Sequence, residues 1–209
     1  MKLFFTLLIL SVTINYSYAQ TPAPIKKKLQ AQRTTISPKI DGILDDAVWE
    51  KAPIATDFIE NRPVPGRVEP KEGRTEIKIL YDDRAIYIAA RMYDNPDSVV
   101  HELVSRDNIG NADFIGIVFD TFLDGVNGNG FYVTAAGVQF DAKYSLIGDE
   151  DSNWNAVWES NVKIDDKGWT AEFKILIRHS VFRARTSKTG GSTLPVNVRV
   201  KTVKLSGIL

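Results

Sequence analysis

Residues 105–145 read SRDNIGNADFIGIVFDTFLDGVNGNGFYVTAAGVQFDAKYS. Apolar side chains fill both alternating positions of Phe114–Phe122, which predicts a strand that is covered on both faces. Gly130–Ala135 and Val138–Tyr144 flank the turn residues Ala136-Gly137 and predict a hairpin. Asp, Asn and Gly fill the joint before the hairpin, as is usual in turns. The stretch therefore predicts the middle of an antiparallel β-sandwich.

Two more hairpins are predicted, one before this stretch and one after it. Before it, Glu76–Tyr81 and Ala85–Met92 alternate with period two, and after it Val157–Ile164 and Trp169–Ile175 do the same. The predicted inward side chains of the last strand are Trp169, Ala171, Phe173 and Ile175, and the outward ones are Thr170, Glu172 and Lys174. Short strands at regular spacing, with no helix longer than two turns, predict an all-β fold, an antiparallel β-sandwich of the jelly-roll-like kind.

The composition narrows the possible functions. The 209 residues carry 26 basic and 26 acidic side chains, so the chain lacks the basic excess typical of nucleic-acid-binding proteins. Cysteine is absent, which excludes disulfides, thiolate metal sites and cysteine nucleophiles. Only 2 histidines are present, and no phosphate-binding loop or nucleophile motif occurs. We therefore expect no nucleic-acid partner and no catalytic site.

The N-terminus has the pattern of an export signal. Lys2 precedes an apolar run over Leu3–Ile14, and Ser17-Tyr18-Ala19 places small residues where a signal peptidase cleaves. A short membrane anchor is the alternative, but the run is shorter than the ~20 residues that span a bilayer. We expect a signal peptide over residues 1–19, a linker over residues 20–35, and an exported protein in the periplasm, the outer membrane or at the cell surface.

The segment Ile40–Trp49 follows the predicted linker. Asp41-Gly42 predicts a turn, and Asp45 can cap a short helix. Trp49 is expected to plug one end of the core rather than bind a ligand.

Several motifs in this order resemble the family 9 carbohydrate-binding modules. They are Ile40-Asp41-Gly42, Leu44-Asp45-Asp46 with Trp49, Tyr81-Asp82-Asp83 with Ile86-Tyr87, Asp113 leading to Phe119-Asp120, and Gly168-Trp169 with Glu172. The resemblance covers Ile36–Ile175 and implies a sandwich domain over residues 36–175. It also implies non-catalytic carbohydrate binding and a part in carbohydrate catabolism.

A narrower set of motifs is similar to the N-terminal domain of a group of uncharacterised exported proteins. These motifs are Arg106-Asp107-Asn108, Asn111-Ala112-Asp113 and Ala135–Ala142. In that group the domain precedes a long region thought to form an outer-membrane β-barrel. The similarity implies an alternative function: a structural or interaction domain of a larger outer-membrane protein, without sugar binding and with an outer-membrane component as partner.

Sugar-binding members of the family clamp a glycan between two tryptophans, while a carboxylate holds its hydroxyls. This chain has about Gly110 at the first tryptophan position and Gly116 at the carboxylate position. The second tryptophan would lie beyond Ile175, where the resemblance ends. Glycan binding by this chain therefore requires other residues.

Residues 176–209 depart from the family pattern. Family members continue with a Pro, a Phe-Pro pair and a closing strand led by Trp-Gly, whereas this tail is rich in Arg, Lys, Ser and Thr. We hypothesise a shift of reading frame near Leu176, with a divergent native tail as the alternative. A single-base change in the coding DNA that restores a long open frame would support the shift, and its absence would exclude it. In both cases the last strand of the sandwich is expected to be missing.

Asn153-Trp154-Asn155 and Trp158 are the best candidates for sugar stacking. A tryptophan in a polar loop offers a flat face to sugar C–H groups, and Asn amides bond hydroxyls. The alternative for Trp158 is core packing. A second group is expected to line one end of the sandwich, either as ligand contacts or as an ion pair that pins the loop. The predicted ligand-binding residues, with a glycan as partner, are thus Arg106, Asn108, Asp113, Asn153, Trp154 and Trp158.

Asp120–Asn129 is a candidate calcium loop, because oxygen ligands are spaced along a Gly-rich turn. Their spacing fits no tight calcium motif, and Asp, Asn and Gly are also the usual residues of a wide hairpin turn. The turn is the favoured interpretation, and we predict no cofactor and no metal.

Overall fold

The computed structural model describes residues 29–60, 64–121, 123–145 and 150–177, and the backbone of residues 197–203. The strands in chain order are β1 (Gln32–Arg33), β2 (Ile54–Ala55), β3 (Thr75–Tyr81), β4 (Ala85–Tyr93), β5 (Phe114–Asp120), β6 (Gly128–Thr134), β7 (Gln139–Tyr144), β8 (Glu150–Asp151), β9 (Trp158–Asp165), β10 (Gly168–Leu176) and β11 (Asn197–Val203). Short 3-10 helical turns occupy Ala47–Trp49, Lys71–Gly73 and Pro96–Ser98. No helix in the described ranges has the length and apolar character needed to cross a bilayer.

The strands form two sheets. The order in the first sheet is β1-β3-β4-β10-β9, with β2 also paired to β3, and the order in the second is β11-β5-β6-β7-β8. Among these strands every pairing is antiparallel except that of β1 with β3. The predicted all-β antiparallel sandwich is therefore confirmed.

The core lies between the two sheets. Side chains two residues apart share one face of a strand, so each hairpin contributes alternating residues to the core. The first sheet supplies Ile77, Ile79, Ile86, Ile88, Ala90, Met92, Trp169, Ala171, Phe173 and Ile175, and the second supplies Ile115, Ile117, Phe119, Phe131 and Val133. The three predicted hairpins are confirmed, and so is the inward face of β10.

The outer face of the first sheet is covered by the segment Ile40–Trp49. Trp49 is 1% exposed and packs with Tyr87 and other side chains that point away from the central core. The prediction that Trp49 plugs one end of the core is therefore wrong, because it covers the back of the sheet. The predicted cap by Asp45 is also wrong, since Asp46 precedes the helical turn and makes no side-chain capping bond.

Glu172 holds this covering segment from beneath. It points outward as predicted, yet it is fully buried, like Thr170 on the same strand. One carboxylate oxygen accepts the backbone N–H groups of Asp41 and Gly42 at 3.0 and 2.9 Å. The other accepts Trp49 Nε1–H at 3.0 Å. Burial raises the pKa of Glu172, against the lowering effect of these donors.

The last strand of the sandwich is present. The backbone of β11 pairs antiparallel with β5, with Asn197 opposite Asp120 and Val203 opposite Phe114. The expectation of a missing closing strand is therefore wrong, and β5 is flanked by β11 and β6. The frame-shift hypothesis for residues 176–209 stays a prediction that the coding DNA can test.

Residues near the N-terminal boundary add to the sandwich. β1 lies within the predicted linker and pairs parallel with β3. Leu29 and Ala31 pack against the central core. The predicted signal peptide and residues 20–28 of the predicted linker lie outside the described residues.

Candidate functional site

The candidate site lies on the side of the sandwich where β9 meets β7 and β8. On this side β9 is the edge strand of the first sheet, and β8 is the edge strand of the second sheet. Gln139 Nε2 on β7 donates to Ser160 Oγ on β9 at 2.9 Å, so side chains bridge the two sheets here. Residues 152–157 cross from β8 to β9 and bring Trp154 against the core on this side.

Asp141 on β7 is the centre of the polar contacts on this side. Its side chain is fully buried and points between the sheets, whereas its neighbours in β7 point to the outer face. One carboxylate oxygen accepts Arg106 Nη2–H at 2.6 Å and Trp158 Nε1–H at 3.3 Å. The other oxygen accepts the backbone N–H of Ala156 at 2.5 Å. Asp141 thus ties the crossing segment and the loop before β5 to the second sheet.

Trp154 is the one tryptophan of the four that is not buried. It is partly buried and meets the Phe131 ring edge to face, with centroids 5.8 Å apart. Trp158 lies parallel to the Phe173 ring at a centroid distance of 5.7 Å, so core packing is its role in the structure. The buried tryptophans are Trp49, Trp158 and Trp169. Trp154 is therefore the candidate among the four tryptophans for contact with a ligand.

Polar groups border the exposed part of Trp154. Asn153 and Asn155 are both exposed. The backbone N–H of Asn153 donates to Asp151 Oδ1 at 3.1 Å, and its carbonyl accepts Asn155 Nδ2–H at 3.3 Å. The loop therefore combines an aromatic ring with two side-chain amides.

Arg106 borders the same side of the sandwich. Its guanidinium donates to Asp141 and to Gln139 Oε1, and its Nε lies 3.7 Å from Asp107 Oδ2. Arg106 does form an ion pair that holds this loop, as the predicted alternative to a ligand contact had it, but the buried partner is Asp141, which lies outside the predicted group. The Arg106 side chain is still 44% exposed.

Asn108 and Asp113 accept hydrogen bonds from backbone N–H groups in the segment before β5. Asn108 Oδ1 accepts the N–H of Gly110 within its own loop at 2.9 Å. Asp113 is fully buried, and its Oδ2 accepts the N–H of Val100 at 3.2 Å, which anchors the chain before β5. The members of the predicted set that the structure brings together are Arg106, Asn153, Trp154 and Trp158.

The two family sugar-binding positions are shaped for glycine in this chain. Gly116 lies opposite Tyr132 in the β5–β6 pair, and a Cβ at Gly116 would lie 2.1 Å from the Tyr132 ring. Gly110 has a φ of +60°, and a Cβ there would lie 2.9 Å from Val104 Cγ1. The Tyr132 ring therefore occupies the space into which a side chain at position 116 would project.

Tyr132 belongs to a chain of hydroxyls on the outer face of the second sheet. Its hydroxyl lies 2.5 Å from that of Tyr144, which donates to Glu150 Oε2 at 3.1 Å. Burial raises the pKa of Tyr132 and of Tyr144, so both phenols stay protonated at neutral pH. This face presents aromatic rings with mutually bonded hydroxyls beside Gly116, the position at which the resemblance implies a carboxylate in sugar-binding relatives.

The candidate calcium loop is a turn built on side-chain to backbone bonds. Asp120 accepts the N–H groups of Asp124 and Gly125 at 3.2 and 2.9 Å. Asp124 accepts those of Val126 and Asn127 at 2.9 and 2.8 Å. Among the described residues no group of three or more His, Asp or Glu is arranged to hold a metal. These contacts favour the turn interpretation.

Sequence reasoning missed Asp141 and Gln139. Both occupy polar positions of β7, which is the pattern of a solvent-facing strand side. The apolar positions of β7 pack instead on the outer face of the second sheet, in a cluster with Phe114 and Tyr132. The only signal in the sequence was the carboxylate of Asp141 between the apolar residues Phe140 and Ala142, and it does not show which face of β7 is buried.

Comparisons with known proteins agree with the fold. The family described as carbohydrate family 9 binding domain-like matches residues 40–203, from the Glu172-bound segment to the end of β11. No curated protein matches this chain.

Solved structures share the architecture at low sequence identity. A family 9 carbohydrate-binding module from Caldicellulosiruptor kristjanssonii in complex with glucose has a TM-score of 0.57 and 16% identity, covering 84% of this chain and 78% of that chain. A family 9 module from the same organism in complex with cellotriose has a TM-score of 0.51 and 19% identity, covering 71% and 67%. A protein from Bacteroides uniformis has a TM-score of 0.56 and 13% identity, covering 83% and 82%. With its family match and this fold, the chain belongs to the carbohydrate family 9 binding domain-like family.

Proposed function

We propose that this domain is a non-catalytic glycan-binding module whose ligand contacts the surface formed by Asn153, Trp154 and the exposed part of Arg106. The observation that supports it most is the exposure of Trp154, the one tryptophan of four that is not buried. Its polar neighbours match the chemistry of a sugar, which has apolar C–H faces and a rim of hydroxyls.

The proposed contacts are those of a neutral polyhydroxyl ligand. The ring of Trp154 can pack on a pyranose face, and the amide of Asn153 can both donate to and accept from hydroxyls. The charge of Arg106 is balanced by the buried Asp141, so the N–H groups of Arg106 that Asp141 does not use act as donors to hydroxyls rather than as an unpaired cation. Trp158 supports the site from the core side, where its Nε1–H is bonded to Asp141.

Binding is tested by isothermal titration of the whole protein with a glycan panel that includes glucose and cellotriose. We expect saturable binding of at least one member, in the micromolar to millimolar range common for single-domain binders (roughly −4 to −8 kcal/mol). No binding across the panel, together with co-purification with an outer-membrane component, would instead favour the interaction-domain alternative.

Replacing Trp154 by alanine is expected to weaken glycan binding about tenfold or more, because the stacking face is lost. The matched control is Ile54→Ala. Ile54 is 50% exposed and lies on β2, at the edge of the first sheet opposite to β9. Isothermal titration measures the glycan affinity of both variants, and circular dichroism checks that both are folded. Equal affinities for Trp154→Ala and wild type would remove Trp154 from the site.

We further propose that the chain is exported and takes part in carbohydrate catabolism at the cell envelope. The Lys2 and Leu3–Ile14 pattern with Ser17-Tyr18-Ala19 supports export. Mass spectrometry of the protein from an envelope fraction is expected to show Gln20 as the first residue. Intact Met1 on cytoplasmic protein would contradict export, and normal growth of a deletion strain on the bound glycan would contradict the catabolic role.

A further inference from the structure

We propose that Asp141 is a positioning residue of this site, which fixes where Trp154 and Arg106 are presented to the ligand. The inference rests on the proposed function, since it concerns the same surface. Asp141 touches no ligand in this account and acts through the groups that it holds.

The carboxylate of Asp141 is a fixed point in the second sheet. It projects from β7, which is paired on one side with β6 and on the other with β8. Asp141 lies directly opposite Phe131 in the β6–β7 pair, and both side chains are buried between the sheets. A residue held by strand pairing and burial has little freedom to move, so groups bonded to it share that rigidity.

The crossing segment is bonded to this point just after Trp154. The N–H of Ala156, two residues beyond Trp154, donates to one oxygen of Asp141, and the Nε1–H of Trp158 donates to the other. Trp154 itself packs against Phe131, the cross-strand partner of Asp141. The bond at Ala156 therefore sets the path of the backbone that brings the Trp154 ring onto Phe131.

The same carboxylate also fixes Arg106. A buried charge needs a charged or hydrogen-bonded partner. Arg106, in the loop before β5, supplies one, with its Nη2 2.6 Å from Asp141 Oδ1. Both ligand-facing groups, the Trp154 ring and the Arg106 guanidinium, thus share one anchor. Ordering them before the ligand arrives lowers the entropy cost of binding.

The test is Asp141→Asn in the full chain. An amide offers one acceptor oxygen where the carboxylate offers two, so the bond to Ala156 or the bonds to Arg106 and Trp158 must be lost. We expect cellotriose, or whichever panel glycan binds, to bind about fivefold or more weakly. Acrylamide quenching of tryptophan fluorescence is expected to increase, since Trp154 is the one tryptophan that is not buried.

Asp165→Asn is the matched control. Asp165 also holds an arginine and a backbone N–H, with Arg91 Nη1 at 2.7 Å and the N–H of Lys167 at 3.0 Å. It lies at the far end of β9 from Trp158. This variant is expected to lose stability by the same chemistry, with affinity and quenching unchanged.

The two readouts separate failure of the positioning role from failure of glycan binding. Increased quenching in Asp141→Asn without glycan binding by the wild type would overturn the proposed function and leave the control of Trp154 by Asp141 standing. Quenching that does not change, or that changes equally in both variants, would overturn the positioning role. If Asp141→Asn fails to fold, Ala156→Pro removes the donated N–H while leaving the carboxylate in place, and the same shift in quenching is expected.

Discussion

Replacing Glu172 by alanine is expected to destabilise the domain by at least about 3 kcal/mol, because three buried donors lose their acceptor. The donors are the backbone N–H groups of Asp41 and Gly42 and the indole N–H of Trp49. The carboxylate is fully buried, so water cannot replace it without opening the segment over the first sheet. The free energy of unfolding from urea titration measures the loss.

Glu159→Ala is the control for Glu172→Ala. Glu159 lies on the neighbouring strand and pairs with Lys174 at 2.8 Å, but its side chain is 59% exposed. A surface ion pair contributes little, so we expect a change within about 0.5 kcal/mol. Equal losses for the two variants would show that the buried carboxylate does not hold the segment.

The raised pKa of Glu172 gives the same contact a pH signature. The folded protein binds this proton more tightly than the unfolded chain, in which the pKa has its ordinary value near 4.5. The stability that comes from binding this proton is therefore fully present below about pH 4.5 and is lost as the pH rises through the folded pKa. It is separate from the three hydrogen bonds that the carboxylate accepts. We expect the free energy of unfolding of the wild type, relative to that of Glu172→Gln, to increase as the pH is lowered from about 7 to about 4.5. A wild type that loses stability relative to Glu172→Gln as the pH falls over this range would contradict the raised pKa.

Gly168→Ala is expected to cost about 3 kcal/mol or more, or to prevent folding, for two independent reasons. The residue has a φ of +122°, a conformation that side chains rarely adopt. A Cβ there would also lie 2.3 Å from the carbonyl oxygen of Met92 and 2.6 Å from the backbone nitrogen of Asp94. Both clashes are with the backbone of β4 and its extension, so relief requires the β4–β10 pairing to move.

Gly66→Ala separates the two reasons. Gly66 has a φ of +87°, and among the described residues no atom beyond Gly66 and its chain neighbours Pro65 and Arg67 lies within 4 Å of the position of a Cβ there. Thermal and urea unfolding of this variant measure the cost of positive φ alone, which we expect to be about 1 kcal/mol. If Gly168→Ala costs no more than Gly66→Ala, the close approach of β4 and β10 at Gly168 is not limiting.

The hairpins were predictable because their information is local. In β10 the alternation of Trp169, Ala171, Phe173 and Ile175 with polar residues matches a strand with one core face. The family resemblance followed from motifs such as Asp41-Gly42 and Trp49, which the structure places on a single carboxylate. β11 was also within reach, since Val198 and Val200 alternate with polar residues over 197–201, although the tail as a whole departs from the family pattern.

The burial of polar residues could not be read from alternation. Glu172 points away from the central core and would be solvent-exposed if nothing covered the first sheet. Its burial depends on a segment about 130 residues earlier in the chain. Asp141 is the reverse case: it points into the sandwich because the apolar side of β7 packs on the outer face of the second sheet. The burial of Glu172 and of Asp141 depends on how segments distant in the sequence are placed relative to one another, and no local pattern of residues encodes that placement.

The same limit applies to the candidate site. A polar loop with Asn153 and Trp154 is a local signal, and the structure leaves Trp154 partly exposed. Trp158 lies four residues later but is in the core, because β9 turns it toward Phe173. Asn108 and Asp113 were predicted because they were expected to line the same end of the sandwich as Arg106, whereas the structure shows them bonded to backbone N–H groups near their own loop.

The location of the glycan is tested most directly by backbone and indole amide chemical shifts during titration with cellotriose and the other panel sugars. We expect the largest shifts at the indole N–H of Trp154 and at the amides of residues 151–157, with the outer face around Gly116 and Tyr132 unchanged. Shifts centred on Gly116 and Tyr132 would contradict the proposed surface, and the absence of saturable shifts with every sugar would contradict glycan binding itself.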